Sequence, residues 1–136
     1  PGISPNIMTV GAVDDRRTVD ISDDVVAEFS SRGPAHGNIP KPDVVAPGVN
    51  VVSLNTDRNY TGGPRLYSLE KAYTTMSGTS VAAPIVAGIA ALIFEAYPEY
   101  TPDEVKSLIM KYARSIDRNI YAQGRGLVDV RSIIGQ

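Results

Sequence analysis

The chain has 136 residues, 43% hydrophobic and 21% charged, with a formal net charge of −2 and no cysteine. That length suffices for one domain with a real core, and a near-neutral charge with no long run of either sign gives no expectation of a nucleic-acid or membrane partner. The absence of cysteine excludes disulfides, thiolate metal sites and cysteine nucleophiles, but leaves secreted and bacterial cytoplasmic locations equally open.

Residues 1–13 (PGISPNIMTVGAV) contain no basic stretch before an apolar core and do not read as a signal peptide. They enter a strand almost at once, which suggests a chain cut from a longer one. Residues 7–13 form a nearly continuous apolar run, as expected of a strand covered on both faces. Residues 14–24 are polar and predict a surface loop. Residues 25–29 predict a short strand, and 31–34 (SRGP) a turn. Residues 35–42 are rich in proline and glycine and predict irregular chain. Residues 43–54 give two apolar pieces divided by the turn dipeptide Pro47-Gly48. Residues 56–69, with Gly62-Gly63-Pro64, predict an exposed loop.

Two helices carry firmer signals. The first begins near Ser80 and runs to about Ala96, before Pro98; its apolar stretch, residues 81–94, is short for a membrane span and suits a core helix. The second has Thr101 as N-cap, Pro102 at its first position and Glu104 completing a capping box, with Val105, Leu108, Ile109 and Tyr112 at helical spacing. Residues 121–134 predict a short strand or turn closing on the body. Strands followed by helices, the strands of buried type, give an α/β fold.

The chemistry concentrates in residues 75–84 (TMSGTSVAAP), a small polar cluster leading into the most apolar helix. A serine at a helix start has a backbone N–H without an intrahelical partner, and the helix dipole favours negative charge there. Most serines and threonines at helix starts are simply caps. Pro84, which removes a backbone donor close to Ser80, and the small residues Ala82, Ala83, Ala87, Gly88, Ala90 and Ala91 mark this helix as central and its start as unusual.

Gly78-Thr79-Ser80-x-Ala82-x-Pro84 followed by Val86-Ala87-Gly88 resembles the serine signature of the subtilases, the subtilisin-like serine proteases. Pro1-Gly2, Val10-Gly11-Ala12-Val13, Phe29-Ser30-Ser31-x-Gly33-Pro34, Asp43-x-x-Ala46-Pro47-Gly48-Val49 and Gly124-x-Gly126-Leu127-Val128 are similar to successive segments of that family. The resemblance implies that residues 1–136 are the C-terminal portion of a subtilase catalytic domain: a partial subtilisin-like α/β fold of mainly parallel buried strands, with a central helix starting at the nucleophile and a second, C-terminal helix.

It further implies Ser80 as nucleophile, with Thr79 and the Ser80 backbone N–H supporting the oxyanion, and Gly2 and Gly78 as substrate-binding residues. Val81 stands where methionine is commonest, which lowers sensitivity to oxidation. The loop before Asp43 resembles a weak cation site of some relatives. A lone carboxylate is more often a turn or cap residue, so neither metal nor cofactor is expected, with calcium left open for the longer protein.

In the family the order is Asp, His, Ser, so the aspartate, the histidine and the oxyanion asparagine fall upstream of Pro1. His36, the only histidine, lies in a Pro/Gly-rich loop and reads as a surface residue; Asn6 and Asn38 do not sit in an oxyanion motif. The expected function is a serine endopeptidase in the longer protein, with this chain alone inactive for want of a base. The alternative is a non-catalytic subtilase-like peptide-binding or interaction module. The expected partners are a peptide or protein substrate, the missing N-terminal part of the domain, and a second copy of the fragment in a dimer or swapped assembly through its open edge.

Overall fold

A computed structural model describes residues 2–55 and 72–135; the loop expected at 56–69 lies outside the described residues. Strand β1 (Val10–Asp14) is central, with β3 (Val44–Pro47) parallel on one side and β2 (Val25–Val26) antiparallel on the other. The β1–β3 register sets Val10 opposite Val44 and Val13 opposite Pro47. A 3-10 turn (Ile21–Asp23), capped by the Asp20 side chain, interrupts the loop ahead of β2. A second ladder pairs β4 (Val51–Leu54) antiparallel with β5 (Tyr73–Met76). Among the described residues the expected parallel pairing is therefore that of β1 with β3, and the ladders β1–β2 and β4–β5 are antiparallel.

Alternation along the strands divides their side chains between two faces. Ala12, Val44 and Ala46 join the main core, while Val13 and Val45 point the other way and are also fully buried. Against the first face lies α1 (Thr79–Ala96), which buries Ala82, Val86, Ile89 and Ile93 at helical spacing. Helix α2 (Pro102–Tyr112) adds Val105 and Ile109 to the same core. Its capping box is complete: Thr101 Oγ1 accepts the Glu104 N–H, and the Glu104 carboxylate accepts the Thr101 N–H.

The C-terminal stretch, expected as strand or turn, contains two short helices as well. Helix α3 (Ile120–Gln123) is capped by Asn119, and α4 (Val130–Ile134) by Asp129. Between them Leu127 bridges both Val45 and Arg114, so the tail does close on β3. These helices are too short to show a helical period, and their caps were the readable sign.

Helix α1 is apolar around its whole circumference, yet only one side is covered. Ala83, Pro84, Ala87, Gly88, Ala91 and Leu92 are exposed. At 18 residues it is longer than the apolar stretch in the sequence, and by length and composition alone it could cross a membrane. The core helix of a globular domain passes the same test; here α1 packs on β1 and β3 through one side, and 22% of its length is buried.

Candidate functional site

Strand β5 runs through Ser77 and Gly78 directly into α1, and this turn carries Ser80. The helix starts one residue earlier than the sequence suggested, with Gly78 rather than a side-chain oxygen as its N-cap. Gly78 has φ 155°, a conformation that a side chain would disfavour. The first bonded amides are those of Val81 and Ala82, both donating to the Gly78 carbonyl. The amides of Thr79 and Ser80 therefore lie ahead of the hydrogen-bonded turn, at the positive end of the helix dipole. Ser80 is exposed and Thr79 half-buried. Pro84 lies inside the helix, so the Ser80 carbonyl has no N–H four residues on to bond.

The loop after β3 holds this turn in place. The Gly78 N–H donates to the Gly48 carbonyl at 2.8 Å, and the Asn50 N–H donates to Ser77 Oγ at 2.8 Å. Asn50 has φ 52°, within the left-handed region that asparagine tolerates. Gly48 is buried between Ala12 and the Gly78 carbonyl. Pro47-Gly48 marks a turn in the sequence, but the contacts of Gly48 and Asn50 with the serine turn appear only in three dimensions.

The remaining expected site residues are more dispersed. Gly2 lies off the N-terminal end of β1, where its carbonyl accepts a hydrogen bond from Thr9 Oγ1 at 2.7 Å. Gly78 lies off the C-terminal end of β3, so the two glycines sit at opposite ends of the β1–β3 pair. His36 is exposed in a loop bridged by Ala35 and Ile39. Among the described residues, neither His36 nor any carboxylate is hydrogen-bonded to the Ser80 hydroxyl.

The cation site that the Asp43 loop resembles does not fit the residues present. Lys41 and Asp43 are both buried, and Lys41 Nζ donates to Asp43 Oδ2 at 2.7 Å and to the Ile7 carbonyl at 3.1 Å. Lys106, from α2, donates to the carbonyls of Pro5 and Ile7 at 2.7 and 2.9 Å and lies 3.7 Å from Asp43 Oδ1. Two ammonium groups thus converge on the oxygens that a metal ion would need. No cluster of three or more metal-ligating side chains occurs among the described residues. Neither lysine was singled out from the sequence, since the pairing of positions 41 and 106 is visible only in three dimensions.

The chain that carries this turn matches known proteins along most of its length. The profile of the subtilase family matches residues 1–127. The chain belongs to the subtilase family. It is 48% identical over 128 residues to the serine protease AprX of Bacillus subtilis, covering 91% of this chain and 29% of AprX. It is 40% identical over 125 residues to the subtilisin-like protease SBT4.14 of Arabidopsis thaliana, covering 85% of this chain and 16% of that protein. Among solved structures, fervidolysin from Fervidobacterium pennivorans, a keratinolytic enzyme related to subtilisin, superposes with a TM-score of 0.78 at 26% identity. That match covers all of this subtilase chain and 20% of fervidolysin. The chain therefore spans less than a third of the length of these relatives.

Proposed function

We propose that this chain is the C-terminal, nucleophile-bearing portion of a subtilase catalytic domain, and that the whole protein is a serine endopeptidase. The observation that carries the reading is the position of Ser80: an exposed hydroxyl whose own amide precedes the bonded turns of α1. In the reaction Ser80 Oγ attacks the peptide carbonyl, its proton passes to a histidine base, and the amine leaves with that proton. Water then hydrolyses the acyl-enzyme. The Ser80 amide, supported by Thr79, faces the oxyanion, where the helix dipole lowers the cost of the developing charge. Gly78 and the Gly2 segment border the substrate.

The histidine and its orienting aspartate are supplied from outside these 136 residues. His36, exposed and unconnected to Ser80, is not the base, so the isolated chain is inactive. The uncovered side of α1 is the surface on which the rest of the domain packs. This fits both its apolar composition and the small share of each relative that the chain represents. Without that cover, isolated copies associate through the same face.

Labelling with a serine-reactive fluorophosphonate tests the reading. The full-length protein should label, its Ser80→Ala variant should not, and the isolated chain should not. Labelling of the isolated chain at Ser80 would show that a base lies within it. A full-length protein that does not label would favour a peptide-binding module instead.

A further inference from the structure

The oxygens around Asp43 form a set that is unusual for a lysine pair. The Asp43 carboxylate and the carbonyls of Pro5 and Ile7 converge from two stretches of chain distant in sequence, and they meet the ammonium groups of Lys41, two residues before Asp43, and of Lys106, from α2. Hard cations are held by just such mixtures of carboxylate and backbone carbonyl oxygens. Lysine contributes a compact positive charge with three donors, so an ammonium can take the place of a small cation where its stem can reach. The Lys41 side chain is 6% exposed and that of Lys106 19%, so both charges are held within the fold.

The cluster also fixes the segment that leads to Gly2. Asp43 Oδ2 accepts the Thr9 N–H, and Thr9 Oγ1 in turn donates to the Gly2 carbonyl. The Asp43 N–H returns a bond to the Thr9 carbonyl at 2.8 Å. With the lysine contacts to Pro5 and Ile7, the segment from Gly2 to Thr9 is tied at four residues to one buried charge cluster.

We infer that Lys41 and Lys106 are an internal, covalently tethered replacement for a bound cation, and that they act as positioning residues for the Gly2 segment. The positioning of substrate rests on the protease reading above; the replacement of a cation does not. Without the Lys41 ammonium, Asp43 Oδ2 and the Ile7 carbonyl lose their shared donor, and the vacated space admits a metal ion. The sequence that resembles a cation site is thus one in which the ion has become part of the chain.

The test uses the full-length protein and its Lys41→Ala, Lys106→Met and Lys106→Arg variants. Melting temperature and hydrogen exchange at the Thr9 amide are followed in calcium chloride and in choline chloride at equal ionic strength. Lys41→Ala should gain a calcium-linked rise in melting temperature beyond any shown by the parent, with faster Thr9 exchange in choline that calcium slows again. On a peptide substrate its KM should rise several-fold in choline with kcat changed less, and calcium should lower KM. Lys106→Arg should resemble the parent and Lys106→Met should raise KM.

A Lys41→Ala variant that melts identically in both salts, with Thr9 exchange unchanged, overturns the inference. A parent as responsive at Thr9 to calcium as the variant also overturns it. If Lys41→Ala does not fold even in calcium, the cation cannot stand in for the lysine, and the inference fails; Lys106→Met then still reports whether the cluster sets KM. A full-length protein that cleaves no peptide and takes up no fluorophosphonate defeats the protease reading alone, because melting and exchange still decide the cation replacement.

Discussion

Gly48 and Gly78 meet backbone to backbone: the Gly78 N–H reaches the Gly48 carbonyl at 2.8 Å, joining the end of β3 to the turn that carries Ser80. A Cβ on Gly48 would lie 2.6 Å from the Cβ of Ala12 and 3.1 Å from the Gly78 carbonyl oxygen. Ala12 is in the strand centre and cannot yield, so the turn must. Gly48→Ala should therefore cost about 1–3 kcal/mol, the range for an overpacked site. It should also slow fluorophosphonate labelling of the full-length protein by more than the unfolded fraction explains. Urea unfolding and labelling rates on one preparation separate the two effects.

Asp43 faces two ammonium groups, those of Lys41 and Lys106, so its neutralisation should harm the fold more than loss of either lysine. Asp43→Asn leaves Lys41 buried without a counter-charge, a situation that costs about 3–5 kcal/mol. Lys106→Met leaves the shorter Lys41–Asp43 pair intact, and the Lys106 side chain is more exposed. Denaturant midpoints of the two variants should rank Asp43→Asn well below Lys106→Met. The reverse order would mean that the carbonyl contacts of Lys106 outweigh the ion pair.

The contrast between the Ser80 turn and the Asp43 cluster marks what the sequence could disclose. The long helices, the α2 capping box and the division of residues 43–54 at Pro47-Gly48 follow from local rules of capping and periodicity, and the structure has them. Strand β1 begins at Val10 rather than Ile7, because the carbonyls of Pro5 and Ile7 are engaged by lysines instead of a neighbouring strand. β2 stops at Val26, and Phe29 is left half exposed. β5 was not expected at all, since a four-residue strand rich in threonine has no apolar pattern and exists through its pairing with β4. The small residues of α1 suggested close packing, yet most of them face outward in this chain. The turn into α1 at residues 78–80 was legible from its local pattern, whereas the contacts made by Gly48, Asn50, Lys41 and Lys106 join residues distant in sequence.

Asp24 should make stability fall as the pH rises from acid. Burial, reinforced by the neighbouring carboxylates Asp23, Asp15, Asp20 and Asp14, pushes its pKa above the ordinary aspartate value. In the range above about pH 4 the unfolded chain has lost this proton while the folded chain retains it. The native state then binds more protons, so this group's contribution declines with rising pH until folded Asp24 ionises as well. The penalty is absent in acid and persists at neutral pH. Asp24→Asn should raise the melting temperature at pH 7, with the advantage over the parent shrinking below about pH 4. An advantage equal at both pH values would trace to packing rather than charge.

The uncovered side of α1 yields opposite expectations in the two forms of the protein. Ala87 and Ala91 are exposed on a helix whose neighbours there are also apolar. In the isolated chain, Ala87→Asp breaks an apolar surface that favours self-association, so it should lower the apparent mass in gel filtration and leave the melting temperature nearly unchanged. In the full-length protein the same residue is proposed to lie under the rest of the domain. Burying an unpaired carboxylate there should lower the melting temperature sharply, by several kcal/mol of stability. A full-length Ala87→Asp protein as stable as its parent would mean that this face stays open to solvent. The small residues of α1 would then need another explanation than close packing against a covering part of the protein.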